Sequence, residues 1–275
     1  MNVFVALLIV VASTALAITA ILLVRRHAPD GSYFHDGDRA AGVFGVLATG
    51  FAVLLGLVVV LAFTSYDNSR TGAETEALTL AQQYEVVHLL PHAAGRRLGS
   101  ELVCYGRSVV HLEWPRMESG VQGDAINPWG VRLFRTFKTV RPQTPSEEAA
   151  YGKWFDQTSD REAARIERIH GATGVVPTPL WLVLALISGV VFLFMLFFAD
   201  SGEGAATQAV LMGSVAVVVV SMLLLVAFLN RPFQDGVGGV RPVAMERTLR
   251  IVDQALLAVG GQVKLPCDAS GNPIS

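Results

Sequence analysis

The chain has 275 residues, of which 52% are apolar and only 16% are charged, and its formal net charge is −2 at neutral pH. About 25% of the residues are charged in typical soluble domains, so this composition is unusual for one. The small negative net charge and the lack of a basic stripe argue against nucleic acid as a partner.

Four apolar runs without a single charged residue or histidine dominate the sequence. They are Val3–Val24, Ala40–Phe63, Val176–Ala199 and Ala205–Leu229. Each matches or exceeds the roughly 20 residues that a helix needs to cross the hydrocarbon core of a bilayer. The first run lacks the basic start and the short length of a signal peptide, so we expect it to be retained. The runs predict an all-α integral membrane protein with four transmembrane helices.

The spacing of the runs predicts four parts. They are transmembrane helices 1 and 2 in residues 1–64, a helical extramembrane insert in 65–175, transmembrane helices 3 and 4 in 176–229, and a tail in 230–275. The insert and the tail are expected to be cytosolic.

Helix-forming residues in Thr71–Leu90 should carry the second membrane helix beyond the bilayer, and Pro91 should end it. The rest of the insert is predicted to contain a helix from about His92 to Trp114 that Pro115 stops, a short one near Val131–Lys138, and a long one from Pro145 to His170. In the tail, Ala244–Val259 has apolar residues at helical spacing and should pack back on the insert. Residues Gly260–Ser275 are expected to be poorly ordered.

No enzyme motif is found, neither a phosphate-binding loop nor a nucleophile elbow nor a zinc signature. We therefore expect no enzyme activity, no cofactor and no metal. Glu74 and Glu76 cannot face each other on a helix and are predicted to be solvated. A surface helix explains His111–Trp114. The spacing of Cys104 and Cys267 matches no metal or redox motif, so we interpret both as free thiols.

The absence of charge inside the membrane argues against a proton relay, which usually needs Asp, Glu or His there. Small residues instead recur on one face of the second run. That face is interpreted either as a helix-packing seam or as the lining of a pore in an oligomer, where bulky neighbours form an apolar neck. The pore-lining candidates are Phe44, Gly45, Ala48, Phe51, Ala52, Leu55 and Gly56.

Two topology signals disagree. Arg25 and Arg26 directly follow the first helix and favour a cytoplasmic Arg25–Arg39 loop. The arginines near the other membrane boundaries favour the opposite orientation and are more numerous; they are Arg70, Arg161, Arg165, Arg168, Arg231, Arg241, Arg247 and Arg250. On that count we expect both termini on the cytoplasmic side of a bacterial inner membrane.

The segment Gly50–Val60, followed by Ser65–Arg70, resembles the bacterial bestrophin-like membrane family of unknown function. Glu113–Pro115 and Asn230–Phe233 are similar to further marks of that family. A more distant similarity connects the second helix to that of the bestrophin anion channels. The residues that carry the resemblance are Tyr66, Asp67, Arg70, Trp114, Pro115, Pro232 and Phe233.

The resemblance to bestrophins implies a homopentamer with cytosolic termini, in which the second helix lines a pore for small anions. Calcium-gated bestrophins carry a dense acidic cluster after the Pro-Phe element, whereas only Asp235 follows closely here, so we expect no calcium clasp. The expected partners are the lipid bilayer, further copies of the chain and small anions. The alternative function is a non-conducting membrane scaffold whose helical insert binds a cytosolic partner.

Overall fold

The computed structural model describes residues 3–120, 127–258 and 264–274, with side chains for all but 256–258 of these. The described residues form an all-α fold whose only β-type pairing is an isolated bridge between Cys267 and Pro273. The α-helices are α1 (Val3–Arg25), α2 (Gly37–Val86), α3 (His92–Ser108), α4 (Trp114–Glu118), α5 (Pro128–Phe137), α6 (Pro145–His170), α7 (Thr178–Phe197), α8 (Ala205–Leu229) and α9 (Val243–Ala258). The predicted fold class is confirmed.

Residues Met1–Ser65 and Val175–Asn230 form one compact unit, which we call the membrane unit. It contains α1, the first part of α2, α7 and α8, and each of these helices includes a window with a mean hydropathy of 2.8. All four are long and apolar enough to cross a membrane, which confirms the four predicted spans.

Packing inside the membrane unit is sparse and apolar. One face of α2 is buried through Phe51, Leu55, Val58 and Ala62, which follow each other at helical spacing. In α8, Gly213 lies so close to α1 that a Cβ added there would be 3.1 Å from the Ile18 side chain. Most other side chains of the four helices are exposed, so lipid or another chain must cover them.

The two short loops of the membrane unit contact each other. The Arg25 guanidinium donates to the carbonyl of Ser201 at 3.0 Å and to that of Glu203. The backbone N–H of Gly31 donates to the Asp200 carboxylate at 3.0 Å. The α1–α2 and α7–α8 loops therefore lie at the same end of the unit, as four successive crossings require.

Residues Tyr66–Gly174 and Arg231–Ser275 form a second compact unit, which we call the extramembrane unit. α2 continues into it without a break as far as Val86, and a short 3₁₀ turn over Val87–Leu89 precedes Pro91. The predicted long second helix, which Pro91 ends, is confirmed.

The helix expected from His92 to Trp114 is divided. α3 ends at Ser108, a π-helical turn occupies Val109–Glu113, and α4 follows. The prediction that Pro115 stops the helix was wrong. Pro115 lies in the first turn of α4, where the missing N–H has no obligatory partner and the fixed φ suits the helix.

The two remaining helices of the insert begin at capping residues. The Asn127 side chain accepts the backbone N–H of Trp129 at 3.0 Å, so α5 begins at Pro128 instead of Val131. A capping box between Thr144 and Glu147 starts α6, and the predicted bounds of that helix are confirmed.

The tail helix α9 packs on the insert, as its apolar spacing predicted. Met245 and Val252 are buried, and a Cβ added at Gly106 of α3 would lie 2.9 Å from the Leu249 side chain. The Thr248 hydroxyl donates to the carbonyl of Ala77 in α2 at 3.2 Å. The predicted last residue of this helix, Val259, lies outside the described residues.

The prediction of two free thiols was wrong, because Cys104 and Cys267 form a disulfide. Their separation of 163 residues left no local spacing from which the pairing could be read. The described part of the final segment is also ordered, contrary to expectation. The Trp129 indole N–H donates to the carbonyl of Gly271 at 2.6 Å, and the Ile274 N–H donates to that of Pro266 at 2.9 Å. Residues 260–263 and Ser275 lie outside the described residues.

Candidate functional site

The small-residue face of α2 is open in the single chain. Gly45, Ala52 and Gly56 are exposed and Ala48 is half-buried. Apart from the neighbouring residues and backbone of α2 itself, no atom of the described chain lies within 4 Å of a Cβ added at Gly45 or Gly56. Its own unit therefore leaves this face free for another copy of the chain, lipid or water.

The bulky pore candidates instead pack within the membrane unit. Phe51 and Leu55 are each 6% exposed. The Phe44 ring lies 6.0 Å from the rings of Phe194 and Phe198 in the α7 region. Phe51 and Leu55 are thus buried in the membrane unit and Phe44 contacts rings of the α7 region, while the small residues form the open face beside them.

The first group of motif residues lies where α2 enters the extramembrane unit. The Tyr66 hydroxyl donates to the carbonyl of Gly238 at 2.6 Å. Arg70 pairs with Glu74 one turn later at 3.2 Å, and both side chains are 60% exposed. Asp67 is exposed.

The second and third groups of motif residues meet in the core of the extramembrane unit. The rings of Trp114 and Phe233 pack edge to face with centroids 5.4 Å apart. The Trp114 indole N–H donates to the carbonyl of Val240 at 3.3 Å, and the Val240 N–H donates to the carbonyl of Pro232 at 2.8 Å. Pro115 is exposed beside this contact. Two segments far apart in sequence thus form one structural feature.

A buried ion cluster lies against this aromatic pair, with Arg168 of α6 at its centre. The Arg168 side chain is fully buried, and its guanidinium donates to Glu76 at 3.1 Å and to Glu113 at 2.6 Å. It also stacks over the Trp114 ring at 5.5 Å from the centroid. The Tyr105 hydroxyl donates to Glu76 at 2.6 Å. The cluster therefore connects α2, α3, α6 and the π-helical turn that carries Glu113.

Further polar side chains complete the ion cluster. The Asn127 amide donates to Glu113 at 2.8 Å, and Arg165 reaches the same carboxylate at 3.4 Å. Arg161 is buried as well, donates to Gln83 at 2.7 Å and lies 4.7 Å from the centre of the Tyr105 ring. Buried charges persist only where such partners compensate for lost hydration.

The charges of the cluster shift the pKa values of its members. Burial alone would raise the pKa of Glu113, but the charges of Arg168 and Arg165 and the hydrogen bonds from Arg168 and Asn127 lower it overall. Burial opposes the charge of Arg168, yet Glu76 and Glu113 raise the pKa of its guanidinium. Burial, reinforced by Glu76, raises the pKa of Tyr105 well above its ordinary value. At neutral pH the Glu113 carboxylate and the Arg168 guanidinium are therefore ionised and the Tyr105 phenol is neutral.

Comparison with known proteins decides the family. The model of the bestrophin-like domain family matches residues 8–245. The chain belongs to the bestrophin-like family. Among curated proteins, no relative matches the chain significantly.

Solved structures show the same fold for this bestrophin-like chain. A point mutant of a bacterial bestrophin homologue from Klebsiella pneumoniae shares 14% identity with it at a TM-score of 0.65, over 90% of this chain and 99% of that one. Another structure of the Klebsiella homologue shares 16% identity at a TM-score of 0.62, over 95% and 99%. A crystal structure described only as that of a membrane protein shares 15% identity at a TM-score of 0.63, over 92% and 99%.

The sequence interpretation missed the ion cluster of this bestrophin-like chain. Glu74 is exposed as predicted, but the prediction for Glu76 was wrong, because Glu76 is fully buried. A signal was present, since Glu76 shares a helical face with the buried apolar residues Ala73, Ala77 and Leu80. Glu113 and Trp114 are buried as well, so the surface-helix interpretation of their segment was wrong for these two residues.

The extramembrane unit of this bestrophin-like protein also contains a cavity of about 650 Å³ beside the cluster. Tyr66, Arg70, Glu76 and Trp114 line it, together with Gly238–Met245 and Arg247. In the part of the chain that the structure describes, no three His, Cys, Asp or Glu residues are grouped to hold a metal. Every carboxylate oxygen of Glu76 and Glu113 has a partner within the cluster, whereas the Nε atoms of Arg161 and Arg165 have none. The cluster joins the helices of the unit as a structural element.

Proposed function

We propose that the chain is one subunit of a homo-oligomeric, bestrophin-like channel that passes small anions and lies in a bacterial inner membrane. The observation that carries the proposal is the open face of α2, where Gly45, Ala52 and Gly56 are exposed and no other element of the described chain covers Gly45 or Gly56. A pentamer is the assembly that the resemblance to bestrophins favours.

The composition of the four spans supports a passive pore. None of them carries a charge in its apolar run, which disfavours a proton or ion relay. A pore lined by uncharged residues can still conduct and can gate by dewetting of an apolar constriction. Around a central axis, the pore lining would be formed by Gly45, Ala48, Ala52 and Gly56. The bulky side chains of Phe44, Phe51 and Leu55 would pack behind this lining and determine the diameter of the pore.

Cysteine scanning of α2 tests the proposed lining. The two native cysteines are paired, so the scan can use the otherwise unaltered protein without reductant. A water-soluble thiol reagent should label Ala48→Cys and Ala52→Cys in membranes. The matched controls Val46→Cys and Val53→Cys are exposed in the single chain but lie on other parts of the helix, so lipid should protect them. Equal labelling of both groups, or of neither, contradicts the lining.

Flux and mass measurements test the function itself. Purified protein in liposomes should pass chloride in preference to potassium, and its mass in nanodiscs should be a multiple of that of the chain. A clean monomer would remove the pore, because four helices of one chain enclose no central axis. Absence of flux for both ions, together with no labelled face, would favour the alternative of a non-conducting scaffold.

A further inference from the structure

The disulfide between Cys104 and Cys267 bears on which side of the membrane the extramembrane unit occupies. Cys104 has no exposed surface and Cys267 is 4% exposed. The bond joins the middle of α3 to the final segment of the chain, across a sequence separation of 163 residues. Disulfides form and persist in oxidising compartments and are rare in the cytosol of mesophiles, where thiols are kept reduced.

The surroundings of the disulfide identify it as a structural bond. Redox-sensing cysteines are accessible and activated, whereas both sulfurs here lie in the apolar core of the unit. The final segment is fitted closely around it. The Arg107 guanidinium donates to the carbonyl of Asp268 at 3.3 Å, and a Cβ added at Gly271 would lie 2.4 Å from the Ser108 nitrogen. A bond that this packing encloses is poorly reached by reductants, so it does not suit a reversible switch.

A second observation, independent of the cysteines, comes from the short loops of the membrane unit. The α1–α2 loop carries Arg25 and Arg26, and Arg39 follows near the start of α2. The positive-inside bias is meaningful for short loops of this kind, whereas long domains cross the membrane largely regardless of charge. The Arg25 contacts with Ser201 and Glu203 place both short loops on one side. The positive charge of the α1–α2 loop therefore favours a cytoplasmic location for both short loops.

Four of the eight arginines that suggested the opposite orientation have another role in the structure. Arg161 and Arg168 are buried, Arg165 is largely buried, and all three bind carboxylates of the extramembrane unit. Arg70 pairs with Glu74. These four arginines therefore serve the fold, whereas Arg231, Arg241, Arg247 and Arg250 of the tail are exposed. The arginine count alone does not set the orientation.

We propose that the extramembrane unit, including the insert and the tail, faces the oxidising side of the membrane, which for a bacterial inner membrane is the periplasm. The insert and tail lie on one side because they form one unit and because α7 and α8 separate them by two crossings. This orientation is opposite to the one expected from the total arginine count and from the resemblance to bestrophins.

Accessibility labelling in cells tests the orientation directly. Ser146→Cys is exposed at the start of α6, and His35→Cys is exposed in the α1–α2 loop. A membrane-impermeant maleimide should label Ser146→Cys in intact spheroplasts and label His35→Cys only after permeabilisation. Unaltered protein, whose two cysteines are paired, is the control for background labelling. The reverse pattern would overturn the proposal.

The redox state in cells gives an independent readout. Cells are quenched with acid, and the denatured protein is treated with a polyethylene-glycol maleimide, which adds mass at each free thiol. The electrophoretic mobility of the protein should change only if the protein is first reduced. In a strain without its periplasmic thiol oxidase, a large part of the protein should show the changed mobility without prior reduction, because its cysteines remain unpaired. Protein that is already reduced in the parent strain, or an oxidised pair that does not depend on the oxidase, would contradict an oxidising location. Neither result depends on whether the protein conducts ions.

Discussion

The two units of this bestrophin-like chain are stabilised by opposite means. The membrane unit has no charge in its apolar runs and buries a narrow stripe of side chains on α2, and most of its surface is left to lipid or to other chains. The extramembrane unit buries Glu76, Glu113, Arg161 and Arg168 and a disulfide in one core. In water, a core of this kind needs every charge compensated, whereas helices in lipid need only close packing. The extramembrane unit should therefore be the more sensitive of the two to single substitutions.

The largest effect is expected from Arg168→Met. The substitution leaves the carboxylates of Glu76 and Glu113 buried without their central partner, which typically costs about 3–5 kcal/mol. Three of the four tryptophans lie in the extramembrane unit, so tryptophan fluorescence during denaturation in detergent reports on it. Arg70→Met is the matched control. It removes an exposed pair and should cost less than about 1 kcal/mol. Equal losses from both would show that the buried cluster is not decisive.

Removal of the disulfide should have the next largest effect. The double variant Cys104→Ala and Cys267→Ala frees the final segment from α3 and should lower the stability of the extramembrane unit by about 2–5 kcal/mol. The four spans carry no cysteine, so helix content in the membrane should be unchanged by circular dichroism. Reductant present during denaturation can reduce the bond once unfolding exposes it, so it should lower the stability of the unaltered protein and leave the double variant unaffected. A variant as stable as the unaltered protein would show that the noncovalent contacts of the tail suffice.

A smaller effect is expected in the membrane unit. Leu55→Ala removes a buried side chain of α2 and should cost about 2 kcal/mol, at the low end for such changes because lipid resembles the packed interior. Val53→Ala, on an exposed part of the same helix, should cost little. Unfolding in mixed detergent micelles compares the two. If Leu55→Ala raises anion flux and leaves stability intact, Leu55 lies in the pore neck and does not serve packing.

The membrane unit was easier to predict from sequence than the extramembrane unit, because its signals are local. Run length and absence of charge were sufficient to place α1, α2, α7 and α8, because the bilayer imposes a length and a polarity on each segment. The segment Pro145–Glu148 likewise indicated the start of α6, since a helix-start signal is local. The partners of Arg168 and the Cys104–Cys267 bond could not be predicted, because they join segments whose proximity appears only after folding.

The smallest effect is the pH dependence of the extramembrane unit. The folded pKa of Glu113 lies below its ordinary value of 4.5, so the stabilisation is complete above that pH and is lost as pH falls through the folded pKa. The folded pKa of Tyr105 lies above its ordinary value of 10.0, so the unfolded chain loses that proton first and stability falls as pH rises beyond 10.0. Each pKa unit by which folding shifts such a group changes the free energy of unfolding by up to about 1.4 kcal/mol. Fluorescence-monitored stability should therefore be flat between these limits and fall outside them. Tyr105→Phe should remove part of the alkaline fall and leave the acid fall intact; an unchanged alkaline limb would assign it to other groups.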